Sequence, residues 1–180
     1  FMPKSWALFR VAILSFLLFL SVIFVILLLT ISHNPLTISF PYYDTDLSTH
    51  YSRFWATFAH FDGVHYLRIA QHGYADWGGQ AFFPLYPLFI RLLTPITQSP
   101  LDSGLIISWV SLILAILGLK KLFPERPKLF WLLLTFPTAF FFTLVYTESL
   151  FLMLSLWFFV FLKKKKWLLS ALLSGLASGT

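Results

Sequence analysis

Between Lys128 and Lys163 the chain runs for 34 residues with a single charge, Glu148. That is too long for one helix across a hydrocarbon core of ~30 Å and just long enough for two. Four consecutive lysines, Lys163 to Lys166, close the run, and Lys120, Lys121, Arg126 and Lys128 stand ahead of it. Basic clusters favour the cytoplasmic side of a membrane, so both clusters share that side and the run between them crosses an even number of times. A helical hairpin turning near Tyr146 to Ser149 is the simplest solution.

Other blocks repeat the pattern. Val11 to Ile31 gives 21 uncharged residues, ~31 Å as a helix. No small-residue cleavage site follows it, and Ile31-Ser32-His33-Asn34-Pro35 reads as an exit turn, which marks a retained anchor instead of a signal peptide. Ser103 to Leu119 gives 17 uncharged residues, and a last apolar stretch begins at Trp167. With 58% hydrophobic and 11% charged residues and a mean hydropathy of +0.81, the chain is too apolar for a soluble domain or for intrinsic disorder. The net charge of +6 flanks the apolar runs and forms no single basic face, so it writes topology and does not point to nucleic acid. Absence of cysteine excludes disulfides and thiolate metal sites.

The expected fold is all-α: a polytopic transmembrane helical bundle forming one membrane domain over 1–180. Its spans fall at 11–31, 103–119, 129–145 and 149–162, with the start of a fifth at 167–180. Phe1 ahead of Met2, and a final apolar segment of 14 residues that is short for a bilayer, read as the N-terminal part of a longer chain. This topology puts ten basic residues and Glu125 inside, and Arg53, Arg68, Arg91 and the six other acids outside. The run Phe82 to Thr97 is apolar enough to tempt a further span, but Pro84, Pro87, Pro95 and Arg91 interrupt it. It reads as an interfacial element, with Pro87 opening a short helix and Pro95 closing it.

The extracytoplasmic loop, 33–100, is far richer than a connector needs. It holds four Asp, all five His and three Arg among many aromatics, a mixture suited to an ordered pocket on the membrane surface. Within it, 62–73 reads as a short helix with Asp62 as N-cap and Gly73 just past its C-terminus. Asp44-Thr45-Asp46 reads as a polar turn, and the spacing of His60, Asp62 and His65 fits no helical metal-ligand pair.

Four segments carry a resemblance: Phe61-Asp62-Gly63-Val64-His65-Tyr66-Leu67-Arg68-Ile69-Ala70 with Gly73-Tyr74; Phe82-Phe83-Pro84-Leu85-Tyr86-Pro87-Leu88; Pro137-Thr138-Ala139-Phe140-Phe141; and Tyr146-Thr147-Glu148-Ser149-Leu150-Phe151. In order and spacing they resemble the PIG-V family, which comprises the GPI mannosyltransferase adding the second mannose and its prokaryotic relatives, of the GT-C superfamily. Where that family usually has Trp before the Asp, this chain has Phe61. The resemblance implies an inverting transfer of a mannose-like sugar from a polyprenyl- or dolichyl-phosphate donor to a lipid-linked or glycan acceptor, at the outer face of a bacterial or archaeal plasma membrane or the lumenal face of the endoplasmic reticulum membrane in a eukaryote. No cofactor is expected, and no residue pattern indicates a divalent cation.

Such chemistry needs a carboxylate as general base and cations on the departing phosphate. Asp62 is the expected base. Arg91 is the expected phosphate clamp, its fork of donors suiting a pair of phosphate oxygens. Arg68, His65 and Tyr86 join it as candidate substrate or phosphate ligands, and Glu148 is expected to face the Asp62 loop within reach of a basic group. A competing class, a transporter or transport-complex subunit, would carry charges within its spans; here the polarity lies outside them. In the topology above, thiols introduced singly by Asp62→Cys and Lys164→Cys should be labelled from opposite sides of the membrane by an impermeant reagent, and labelling from one side would overturn it.

Overall fold

The computed structural model describes residues 41–75, 78–126 and 128–180, with Leu17, Leu20, Ser21, Phe24 and Val25 ahead of them. The expected first span, 11–31, otherwise lies outside the described residues, as do His33, Asp76 and Trp77. Among the described residues every regular element is helical, in agreement with the all-α expectation.

The longest element, α4, comes after three shorter ones: α1 (Arg53–Ala56), α2 (Asp62–His72) and α3 (Leu85–Thr97). Helix α4 itself runs Pro100–Leu122. Its start is written locally: the Ser99 hydroxyl accepts the Asp102 N–H at 3.2 Å, Pro100 occupies the first turn and Asp102 faces the positive end of the helix dipole. Lys120 and Lys121 complement the other end. At 23 residues, ~34 Å, α4 is the one helix among the described residues long and apolar enough to cross a membrane.

The remaining helices are α5 (Lys128–Thr135), α6 (Glu148–Lys163) and α7 (Trp167–Ala177). The expected span 129–145 is not one helix. Helix α5 stops at Thr135, and a 3-10 turn, Ala139–Thr143, follows. Pro137 accounts for the break, since it lacks an N–H and biases Phe136 away from helical geometry. By contrast α6 starts at the expected hairpin tip and ends at the lysine run. The interfacial segment also departs from expectation. Helix α3 begins at Leu85, so Pro87 falls in its first turn, where its missing N–H has no intrahelical partner, and it runs past Pro95 to Thr97. Gln98, at φ 60°, ends it.

Helix α6 packs along α4, α7 packs on α6, and α3 and α2 stack in turn on the start of α4. Small side chains on α4 permit the close approach. A Cβ on Gly118 would lie 3.1 Å from the Cβ of Leu156, and the Trp157 indole N–H reaches the Leu114 carbonyl at 2.9 Å. The loop does not float above this pair. Phe58, Ala59, Val64, Tyr66 and Leu67 share one buried core with Tyr86, Ile90, Leu101, Leu105, Val145 and Leu150.

Val145, fully buried, seats the hairpin tip on α4: a Cβ on Gly104 would approach its Cγ1 to 2.8 Å. Gly104→Ala should therefore overpack this contact and destabilise the fold by ~1–3 kcal/mol, seen as a lower thermal midpoint in detergent. An unchanged midpoint would show that the tip is not seated there.

Candidate functional site

Asp62 opens α2 as its first helical residue and does not cap it. The position before it belongs to Phe61, whose backbone (φ 51°, ψ −114°) lies in a region that bulky residues rarely enter. Such a conformation costs ~1–3 kcal/mol and persists only where the surroundings impose it. They do so here. The Val145 N–H donates to the Phe58 carbonyl at 2.9 Å. Two groups donate to the His60 carbonyl, each at 3.0 Å: the Gly63 N–H and the Tyr146 hydroxyl. Gly63 packs closely here, since a Cβ on it would press on the Val145 carbonyl oxygen at 3.1 Å. At the far end of α2, Gly73 (φ 74°) closes the helix as expected, its N–H reaching the Ile69 carbonyl at 2.9 Å.

The turn thus held projects the Asp62 side chain outward. It is exposed and makes no ion pair among the described residues. Glu148, the first residue of α6, stands close enough for the Asp62 charge to act on it. Its Oε2 atom is buried and makes no hydrogen bond among the described residues. Burial raises the Glu148 carboxyl above its ordinary pKa, its own backbone N–H partly offsets this, and Asp62 adds to the rise. Glu148 therefore lies within electrostatic range of Asp62. Among the described residues no ion pair joins Glu148 to a basic group; tyrosines stand within electrostatic range of the two acids.

Sequence reasoning passed over two of these tyrosines as site residues. Burial raises the pKa of Tyr66, the Thr147 hydroxyl partly offsets this, and Glu148 and Asp62 add to the rise. Tyr146 is pushed up to about 12, first by burial and then by the charges of Asp62 and Glu148. Both phenols stay neutral near two carboxyls, so each is a hydrogen-bonding group and not a base at neutral pH. No period or charge pattern singles them out, since they resemble any interfacial aromatic.

The other expected ligands have different surroundings. Tyr86 is fully buried. Its hydroxyl donates to the Gly104 carbonyl at 3.0 Å and pairs with the Ser108 hydroxyl at 2.7 Å, while Ser108 also reaches the Tyr146 carbonyl at 3.2 Å. This is a packing role, which removes Tyr86 from the ligand set. Arg68 pairs with Asp46 and lies over the Tyr42 ring, 4.0 Å from its centroid, tying the start of the loop to α2. His65 stacks on Phe82 at 4.8 Å and meets Tyr42 edge-on. Arg91 is exposed on α3, in a shallow pocket with Ala70, Gln71, Thr94 and Gln98. Ala70 lies roughly 12 Å along α2 from Asp62, so the structure does not bring Arg91 and Asp62 together. Among the described residues no group of three His, Cys, Asp or Glu side chains is placed to hold a metal ion.

All four segments of the resemblance meet in this neighbourhood. The Tyr66 ring touches Phe82 at 5.1 Å and Tyr86 at 5.3 Å, and Phe141 packs against Tyr146 at 5.0 Å. The Tyr146 hydroxyl returns to the Asp62 turn. Comparison of the chain with protein-family models, curated proteins and solved structures finds no match.

A carboxyl whose pKa is raised on folding holds its proton more tightly in the folded state. Its stabilising effect is complete below the unfolded carboxylate pKa and is lost as pH rises through the raised value. Glu148→Gln removes that dependence. Its thermal midpoint should gain on that of the wild type as pH rises from about 4 to about 8, whereas a constant gap would mean that Glu148 titrates as an ordinary surface carboxylate.

Proposed function

We propose that this protein is an integral-membrane, inverting glycosyltransferase of the GT-C kind, polytopic, with its site on the outer face. It moves a mannose-like sugar from a polyprenyl-phosphate donor to a lipid-linked or glycan acceptor. The observation that carries the reading is the tie between Val145-Tyr146 and the turn before Asp62, a solvent-facing carboxylate whose supporting turn is held in a strained conformation by residues 86 or more positions away. Strain and pre-organisation of this kind concentrate at functional sites.

In the reaction, the acceptor hydroxyl oxygen attacks the anomeric carbon and Asp62 takes the hydroxyl proton. The bond from that carbon to the phosphate oxygen breaks, and the lipid phosphate leaves with the electron pair. One base suffices, because inversion forms no covalent sugar–enzyme intermediate. Glu148, whose Oε2 atom is buried, orients a sugar or acceptor hydroxyl beside Asp62. A lipid donor keeps its phosphate at headgroup depth, which suits a carboxylate on a loop packed over the ends of α4 and α6. The charge distribution supports the multi-pass arrangement, with Lys120 and Lys121 on α4 and the run from Lys163 at the end of α6 lying at the opposite ends of those helices from Asp102 and Glu148.

Asp62→Asn preserves size and removes the base. Transfer from polyprenyl-phosphate mannose by the membrane-reconstituted protein should fall by ~10²–10⁴-fold, with expression and thermal midpoint unchanged. Wild-type turnover in that variant would reduce Asp62 to a helix-start residue.

A further inference from the structure

We infer that Tyr146 is a positioning residue that sets the Asp62 carboxylate through the backbone of the turn before it. This deepens the transfer reading and rests on it for its kinetic consequence. Its geometric part stands independently.

Three observations carry it. The Tyr146 hydroxyl donates to the His60 carbonyl at 3.0 Å, across 86 residues of sequence, so the bond cannot be a by-product of local helix formation. His60 and Asp62 flank Phe61, the residue at φ 51°; a bond to the His60 carbonyl fixes the His60–Phe61 peptide plane, one peptide ahead of Asp62. Tyr146 is itself held by elements other than the turn. Its ring packs against Phe141, its carbonyl accepts from the buried Ser108 hydroxyl of α4, and its neighbour Val145 is seated on Gly104. The reference point for Asp62 is therefore the α4–α6 pair and not the loop. Loss of the hydroxyl leaves this framework intact and frees the turn, whose Phe61 conformation is then no longer imposed from that side. Displacement of a reacting group by about 1 Å costs on the order of 100-fold in rate, without requiring any loss of donor binding.

Because the chain has no cysteine, the thiol introduced by Asp62→Cys is unique, and its alkylation rate by a small maleimide in reconstituted protein reports the geometry of position 62 without reference to activity. Tyr146→Phe should change that rate at least threefold. The thiol of Lys164→Cys, at the other end of α6, should react equally in both backgrounds and serves as the control for folding. If Tyr146→Phe fails that control, Gly63→Ala replaces it: the added Cβ presses on the Val145 carbonyl from the turn side and should alter the position-62 rate in the same assay. An unchanged rate in whichever background passes the control overturns the inference. In the transfer assay, Tyr146→Phe should lower kcat roughly 10- to 100-fold with the KM for polyprenyl-phosphate mannose unchanged. A raised KM at wild-type kcat would also overturn it, since that is the signature of a ligand contact. Absence of transfer by the wild-type protein would defeat the functional reading alone, because the alkylation rates still decide the positional one.

Discussion

Val145 is the point on which the rest of the arrangement depends. Its side chain fills the space left by Gly104 on α4, its N–H holds the Phe58 carbonyl, and its own carbonyl oxygen lies against Gly63 at the start of α2. One small aliphatic residue thereby joins a long apolar helix, the tip of a hairpin and the turn before Asp62. Steric exclusion does most of this work. At both glycines a methyl group would press into atoms that are themselves packed, so the three parts have one mutual placement and not a range of them. The backbone hydrogen bond then fixes register within that placement.

Electrostatics at the site follow from burial. Asp62 faces outward while Glu148, beside it, has a buried oxygen. Burial holds the Glu148 carboxyl above its ordinary pKa. Arginine enters the same region differently. Arg68 is committed to Asp46 and the Tyr42 ring, so it stiffens the loop from the flank, and Arg91 stands toward the other end of α2.

Much of the helical layout was legible because it rests on local and periodic signals. The span expected at 103–119 lies inside α4, whose start the capping residues Ser99, Pro100 and Asp102 extend by one turn, and the hairpin tip follows from the one acid in a long apolar run. Gly73 marked the end of α2. Where expectation departed from structure, proline was usually the cause: Pro137 shortened the segment after Lys128, whereas Pro87 and Pro95 proved compatible with a helix running from Leu85 to Thr97. A proline restricts the residue before it and deletes one donor, and neighbouring turns decide whether that ends a helix or merely costs it one hydrogen bond.

The site divides along the same line. Sequence alone determined that the chain is helical and membrane-like in composition, that its polar chemistry gathers in the loop 33–100 and at Glu148, and that Asp62 heads a short helix, since length, charge and capping chemistry are properties of neighbouring residues. Only tertiary structure decided that Glu148 comes to Asp62 while Arg91 does not, that Tyr86 is buried in packing, and that Tyr146 reaches back to His60. Those outcomes depend on which small residues let which helices approach, and that is a matter of complementary surfaces between distant segments, which no local pattern encodes.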